Sequence, residues 1–213
     1  MNCARVGGPA RGRTRRAHAH LDSLGSAQSR PAALVPSSIG LLRYFRHLAQ
    51  HHGFSLDSAQ ERALSSFQRL YDDLAELERR DRPWLRLWSL RRRVPGIYLW
   101  GEVGRGKSFL MDEFFRIAPG AKKRRTHFHR FMQEIHHNLH ALQGQSDPLK
   151  LIAARVAQET RLLCLDEFHV TDIGDAMLMR GLLEGLLERQ MVLVTTSNQH
   201  PDELYAHGLQ RGQ

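Results

Sequence analysis

The stretch "YLWGEVGRGKSFLMDEFF", Tyr98 to Phe115, joins an apolar run to a helical pattern through three glycines, a lysine and a serine. That junction has a chemical use. Phosphate oxygens are held by several backbone N–H groups converging on one small volume, and glycine lets the chain curl that tightly. The segment Gly101-Glu102-Val103-Gly104-Arg105-Gly106-Lys107-Ser108 fits the spacing G-x-x-x-x-G-K-[ST]. The helix after it points its N-terminus, with its partial positive charge, at the anion. In such a loop Lys107 reaches the β and γ phosphates, and the Ser108 hydroxyl ligates Mg²⁺. The context agrees: an apolar strand, Ile97 to Trp100, precedes the loop, and a helix from Lys107 to Ile117 follows, stopped by Pro119-Gly120.

A second element lies about 60 residues on. "RLLCLDE" is a short apolar run ending in two acids, Asp166 and Glu167. A buried strand delivers Asp166 to its C-terminal end, where open α/β sheets bind ligands. There Asp166 would hold Mg²⁺ through water, and Glu167 would polarise the water that attacks the γ phosphate. The bland alternative is a carboxylate pair capping the next helix. A third element, Thr195-Thr196-Ser197-Asn198, ends another strand, "MVLVTTSN". An amide there could orient the attacking water or sense the γ phosphate, or could sit in a plain polar turn.

From residue 96 onward strands and helices alternate. "RRTHFH" reads as a strand, "FMQEIHHNLHAL" as a helix, and "PLKLIAARVA" as a helix capped by Asp147 with proline at its first position. "GDAMLMRGLLEGLLER" is helical, and "PDELY" starts one more helix. Alternation of this kind predicts a phosphate-loop α/β fold: a mainly parallel sheet flanked by helices. Upstream, residues 39–52 and 57–80 read as two helices. In the second, Ala59, Ala63, Phe67, Leu70, Leu74 and Leu77 recur at three- and four-residue spacing, and Asp57 with Gln60 forms a capping box. The expected domains are a basic leader over 1–38, a helical segment over 39–93 and a phosphate-loop core over 94–213. The leader is poor in large apolar residues, which predicts disorder. An ordinary mobile terminus fits it better than a mitochondrial transit peptide, because amphipathic apolar content is low.

The chain has 213 residues and a net charge of +9, but the charge is unevenly placed. Residues 1–50 carry +7, whereas residues 51–213 hold 23 basic against 21 acidic residues. The near-neutral body argues against nucleic acid as the main partner. Two distant cysteines, Cys3 and Cys164, make no disulfide framework, and a reducing compartment is the default. No apolar run reaches the ~18 residues that span a bilayer. His136 and His140 at i, i+4 have a spacing that can bind zinc, yet no cysteine or carboxylate completes a set, and a polar helix face is the better reading, as it is for His127 and His129. Cys164, on a strand apolar on both sides, reads as core packing.

Together "GIYLWGEVGRGKSFLMDEFF", "HFHRFMQEIHHNLHAL", "DPLKLIAARVA", "LLCLDEFHVTDIGDAM", "TTSNQHPDELY" and "GLQR", in that order, resemble the ZapE-like ATPases. These are bacterial cell-division proteins with mitochondrial relatives, a branch of the AAA+ class. The resemblance covers roughly residues 40 to 211. It implies Mg²⁺-dependent ATP hydrolysis, a role at the division ring, contact with the tubulin-like division protein, and homo-oligomeric rings. It implies a cytoplasmic location, with peripheral contact at the inner membrane or division site, or a mitochondrial one. Lys107 and Ser108 match the family's nucleotide loop, Asp166 and Glu167 its second motif, and Asn198 its first sensor. Family members continue past "GLQR" with a further strand, trans-acting arginines and a helical lid. The expectation is therefore a truncated chain with an unpaired edge on Ile97–Trp100, no lid, weak turnover, and Arg211 as the remaining candidate arginine finger. A protein quality-control ATPase of mitochondrial type, a nucleotide-binding module without turnover, and a nucleic-acid-stimulated loader are the competing functions.

Overall fold

The computed structural model describes residues 2–6, 40–80, 93–170 and 172–204. The elements in chain order are β1 (Asn2–Arg5), α1 (Leu41–His51), α2 (Ser58–Arg80), β2 (Ile97–Trp100), α3 (Lys107–Ile117), β3 (Lys123–His127), α4 (Phe128–Ala141), α5 (Pro148–Glu159), β4 (Leu162–Asp166), α6 (Ile173–Glu188) and β5 (Val192–Ser197), followed by a 3₁₀ turn at Pro201–Glu203. The five strands form one sheet in the order β1-β2-β5-β4-β3, and every neighbouring pair is parallel. This is the expected α/β fold with a parallel sheet and flanking helices.

The strand sequences explain why both faces are covered. Along each central strand alternate residues enter opposite cores. Ile97, Leu99, Leu162, Cys164, Val192 and Val194 pack with α1, α2 and α3 through Phe45, Phe67, Leu70, Leu110 and Phe114. Tyr98, Leu163, Leu165 and Leu193 face the other way and meet Phe131, Ile135, Ile152 and Leu182 of α4, α5 and α6. Cys164 is fully buried, and that burial pushes its thiol up to about 12, so it packs as a small hydrophobe.

The register sets the site. Trp100 lies beside Ser197, Leu165 beside Thr195, and His127 beside Asp166. All five strands run the same way, so their C-terminal ends share one edge, and the chain leaves that edge into the loops that carry the polar residues.

The structure corrects several expectations. The composition of residues 1–38, of which residues 7–38 lie outside the described residues, predicts disorder, and Ile97–Trp100 is expected to carry an unpaired edge. Instead Asn2–Arg5 pairs in parallel along β2. An open edge presents a row of unpaired N–H and C=O groups, which is a template for another strand. Val6, fully buried in the core beside β2, anchors this one, and its N–H donates to the Trp100 carbonyl at 2.7 Å. The strand expected over "RRTHFH" ends at His127, because Phe128 turns into α4, so His127 and His129 do not alternate on one strand. Asp147 stands at the N-cap position of α5 with φ 51° but makes no capping hydrogen bond; its carboxylate pairs with Lys150 at 3.0 Å. The helix expected at "PDELY" is a 3₁₀ turn, capped by the His200 side chain accepting from Asp202 N–H. The basic segment over residues 81–92 and Arg211 lie outside the described residues.

The capping box of α2 forms as expected. Asp57 Oδ1 accepts from the N–H groups of Ala59 and Gln60 at 2.8 and 2.7 Å, and Gln60 Oε1 accepts from Asp57 N–H at 2.9 Å. Asp57→Ala is expected to lower stability by about 1 kcal/mol. A urea transition should show a lower midpoint with an unchanged slope.

Candidate active site

The loop at residues 101–106 runs from the end of β2 to the start of α3. Gly101 has φ 150°, and a Cβ there would stand 2.1 Å from the Val6 carbonyl oxygen. Gly106 has φ 75° and is the N-cap of α3, and a Cβ there would meet Gln60 Nε2 at 2.7 Å. At Gly101 both backbone and space exclude a side chain; at Gly106 the left-handed backbone disfavours one and the Gln60 amide would have to move. The amide of Gln60 donates to the Arg105 carbonyl at 3.0 Å, so the capping box of α2 also braces the loop. The first N–H groups of α3 have no partner within their own helix.

Lys107 is buried and folds back across the loop mouth. Its Nζ donates to the carbonyls of Gly101 and Glu102, both at 2.8 Å, and to Asn198 Oδ1 at 3.0 Å. Burial pushes its pKa below the ordinary lysine value, and the carboxylate of Asp166 partly offsets that. These contacts use three protons of one ammonium and tie the loop to the end of β5.

Asp166, at the end of β4, is buried with both oxygens engaged. Oδ1 accepts from the Thr196 hydroxyl, from the Ser108 hydroxyl at 3.2 Å and from Glu167 N–H at 3.2 Å. Oδ2 accepts from Arg125 Nη2 at 3.0 Å. The guanidinium of Arg125 also sits against Asp112 of α3. Burial raises the pKa of Asp112, while Arg125 works to lower it. Ser108 and Asp166 thus place a hydroxyl and a carboxylate side by side. Such hard oxygen donors suit Mg²⁺, which needs few protein ligands and keeps several waters.

Glu167 differs from its neighbour. Its side chain is 76% exposed, and its φ is 57°, in the left-handed region. Its N–H is shared between Asp166 Oδ1 and Thr196 Oγ1, the latter at 3.0 Å, which fixes the bend that turns the carboxylate outward. Strained backbone of this kind costs on the order of 1 kcal/mol or more and clusters at functional positions. The carboxylate opens on a cleft of about 550 Å³ lined among others by His127, Phe168, His169 and Asn198. His127 Nδ1 is 3.9 Å from Glu167 Oε2.

The structure therefore gathers Lys107, Ser108, Asp166, Glu167 and Asn198 along one sheet edge, although they come from positions up to 91 residues apart. His136 stands away from them, in a pair with Asp175 at 2.7 Å. The sequence assigned no role to Thr196 individually or to Arg125, and it gave Gln60 only its part in the capping box of α2, not its bond to the loop. Thr196 lay in view in "TTSN". Arg125 had no signal, because its partner is 41 residues away and depends on the pairing of β3 with β4.

The model of the family described as AFG1-like ATPase matches residues 39–213. The chain is 55% identical over 131 residues to "Cell division protein ZapE" of Escherichia coli K12, covering 59% of this chain and 35% of that protein. It is 42% identical over 127 residues to "Lactation elevated protein 1 homolog B" of Danio rerio, covering 54% of this chain and 25% of that one. The chain thus spans about a third or less of these relatives. Among solved structures, AMPPCP-bound DnaA from Aquifex aeolicus aligns with a TM-score of 0.49 and 16% identity over 72% of this chain and 43% of that one. A likeness at that level decides nothing further.

Proposed function

The chain belongs to the AFG1-like ATPase family, and from that premise we propose that it binds ATP with Mg²⁺ at residues 101–108 and hydrolyses the terminal phosphate bond. The observation that carries the reading is two hydrogen-bonded pairs beside the loop, Lys107 Nζ with Asn198 Oδ1 at 3.0 Å and the Ser108 hydroxyl with Asp166 Oδ1 at 3.2 Å, which join consecutive residues at the start of α3 to the C-terminal ends of β5 and β4.

In this reading the backbone from Gly101 to Ser108 cradles the phosphates, and the N-terminus of α3 adds its partial positive charge. Lys107 leaves the carbonyls of Gly101 and Glu102 and turns to the β and γ phosphates. Ser108 and Asp166 would hold Mg²⁺, which supplies charge neutralisation at the phosphate oxygens. Arg125 and Thr196 are positioning residues that hold the Asp166 carboxylate in one orientation. Glu167 accepts the proton of the attacking water, and Asn198 orients that water or senses the terminal phosphate.

The likeness to a named cell-division protein supports a role in cell division, with the tubulin-like division protein as partner and activity completed between copies of the chain. Among the described residues no helix is long and apolar enough to cross a membrane. Phosphate release in excess Mg-ATP, measured per subunit over a dilution series, tests the reading. A rate that rises with protein concentration and vanishes in Lys107→Ala is expected. Nucleotide binding with no phosphate release at any concentration would leave a binding module without turnover.

A further inference from the structure

The N-terminal strand does more than close the sheet. β1 ends at Arg5, which lies in register with Trp100, the last residue before the phosphate loop. Its guanidinium is exposed and rests over the Trp100 ring, 5.0 Å from the centroid. Position is enforced on both sides of the next residue. Val6 N–H bonds the Trp100 carbonyl, the Val6 side chain is fully buried, and the Val6 carbonyl occupies the space that a Cβ on Gly101 would need. The strand is thus fitted against the first residue of the loop.

Arg5 shares a cleft of about 90 Å³ with Gly101, Glu102, Arg105 and Asn198. The carboxylates there are engaged elsewhere: Glu102 pairs with Arg105 at 2.8 Å, and Glu203 accepts from His200 N–H at 3.2 Å. Asn198, which holds Lys107 Nζ, lines both this cleft and the larger one that Glu167 faces. Asn198, beside the Lys107 ammonium, is thus common to the two clefts, one lined also by Glu167 and the other by Arg5.

We propose that Arg5 is a binding residue for the terminal phosphate of the nucleotide, supplied by the same chain through β1. The inference rests on the nucleotide-binding reading above. A planar guanidinium matches phosphate oxygens with two parallel hydrogen bonds, whereas an ammonium offers a point charge. From its place over the Trp100 ring, rotation about the Arg5 side chain would carry the guanidinium toward the loop. Arg5 then favours ATP over ADP, because the terminal phosphate is the group that distinguishes them.

The test uses the full chain with Mg²⁺ and N-methylanthraniloyl derivatives of ATP and ADP, titrated against wild type, Arg5→Ala, Arg5→Lys, Val6→Pro and Lys107→Ala. Loss of a charge-assisted hydrogen bond should weaken ATP binding by roughly tenfold in Arg5→Ala. ADP binding should change by less than about twofold, since ADP lacks the group that Arg5 contacts. Arg5→Lys should fall between wild type and Arg5→Ala. Val6→Pro keeps the arginine but removes the N–H that seats the strand, and should lose the same preference for ATP. Melts without nucleotide establish that each variant is folded. An unchanged ATP-to-ADP ratio in Arg5→Ala, with Lys107→Ala still defective for both, overturns the role of Arg5 alone. A folded wild type that binds neither nucleotide overturns the phosphate-loop reading and this one with it.

Discussion

Lys107→Ala is expected to erase the thermal stabilisation that Mg-ATP gives the wild-type protein. The three hydrogen bonds of the Lys107 ammonium hold it at the loop mouth, away from bulk water. Burial already lowers its pKa, so the charged form is under tension that a phosphate would relieve. An opposite charge in a partly desolvated site gains far more than the same pair in water. At ~100 times Kd, ligand binding adds about 2.7 kcal/mol to the folded state. For a chain of this size that corresponds to roughly 5–10 °C in Tm. Alanine leaves the carbonyls of Gly101 and Glu102 without this partner, so the nucleotide-free Tm can move too. The diagnostic quantity is the shift on adding Mg-ATP to each protein. An equal shift in mutant and wild type would remove Lys107 from the phosphate site.

Glu167→Gln should separate binding from chemistry. The amide keeps the size of the side chain and the bend at φ 57°, because that bend is fixed by backbone bonds to Asp166 and Thr196. It cannot take a proton from water. A lost general base costs on the order of 10²–10⁴ in rate. Affinity for Mg-ATP should stay near wild type, since Glu167 faces the open cleft while the proposed phosphate and Mg²⁺ contacts come from the loop and Asp166. Asp166→Asn should behave differently. It disturbs a buried carboxylate that accepts from Thr196, Ser108 and Arg125, so Mg²⁺ dependence and folding stability should both suffer. Rates for the two variants, with Kd measured alongside, distinguish a base from a metal-facing group.

The loop and the strands that carry it were legible because their signals are local. Three glycines, Lys107 and Ser108 lie within eight residues, and Asp166 follows an unbroken apolar run. Burial of both faces of β4 is also visible, since Leu162 to Leu165 are apolar at every position and neither face is left for water. β1 was not legible. Asn2, Cys3, Ala4 and Arg5 carry no strand pattern, and they sit in a stretch whose composition argues for disorder. Their conformation is set by the open edge of β2 and the burial of Val6, which are tertiary facts. The role of Arg125 and the contact of Gln60 with the loop were hidden for the same reason. Arg125 meets Asp166 only through the pairing of β3 with β4, and Gln60 meets the Arg105 carbonyl only through the docking of α2 on the sheet. Residues that act through one another across the sheet leave no spacing to read.

The claim that the phosphate loop and the Asp166-Glu167 strand end form one ATP-hydrolysing site is tested most directly by single-turnover hydrolysis. Protein in excess over labelled ATP, with Mg²⁺, is sampled for ADP in wild type, Lys107→Ala and Glu167→Gln at equal concentration. Wild type should convert the bound nucleotide, Glu167→Gln should hold it as ATP, and Lys107→Ala should hold none. Conversion of ATP by Glu167→Gln at the wild-type rate would contradict the assignment of Glu167 as the base and the single-site claim that depends on it.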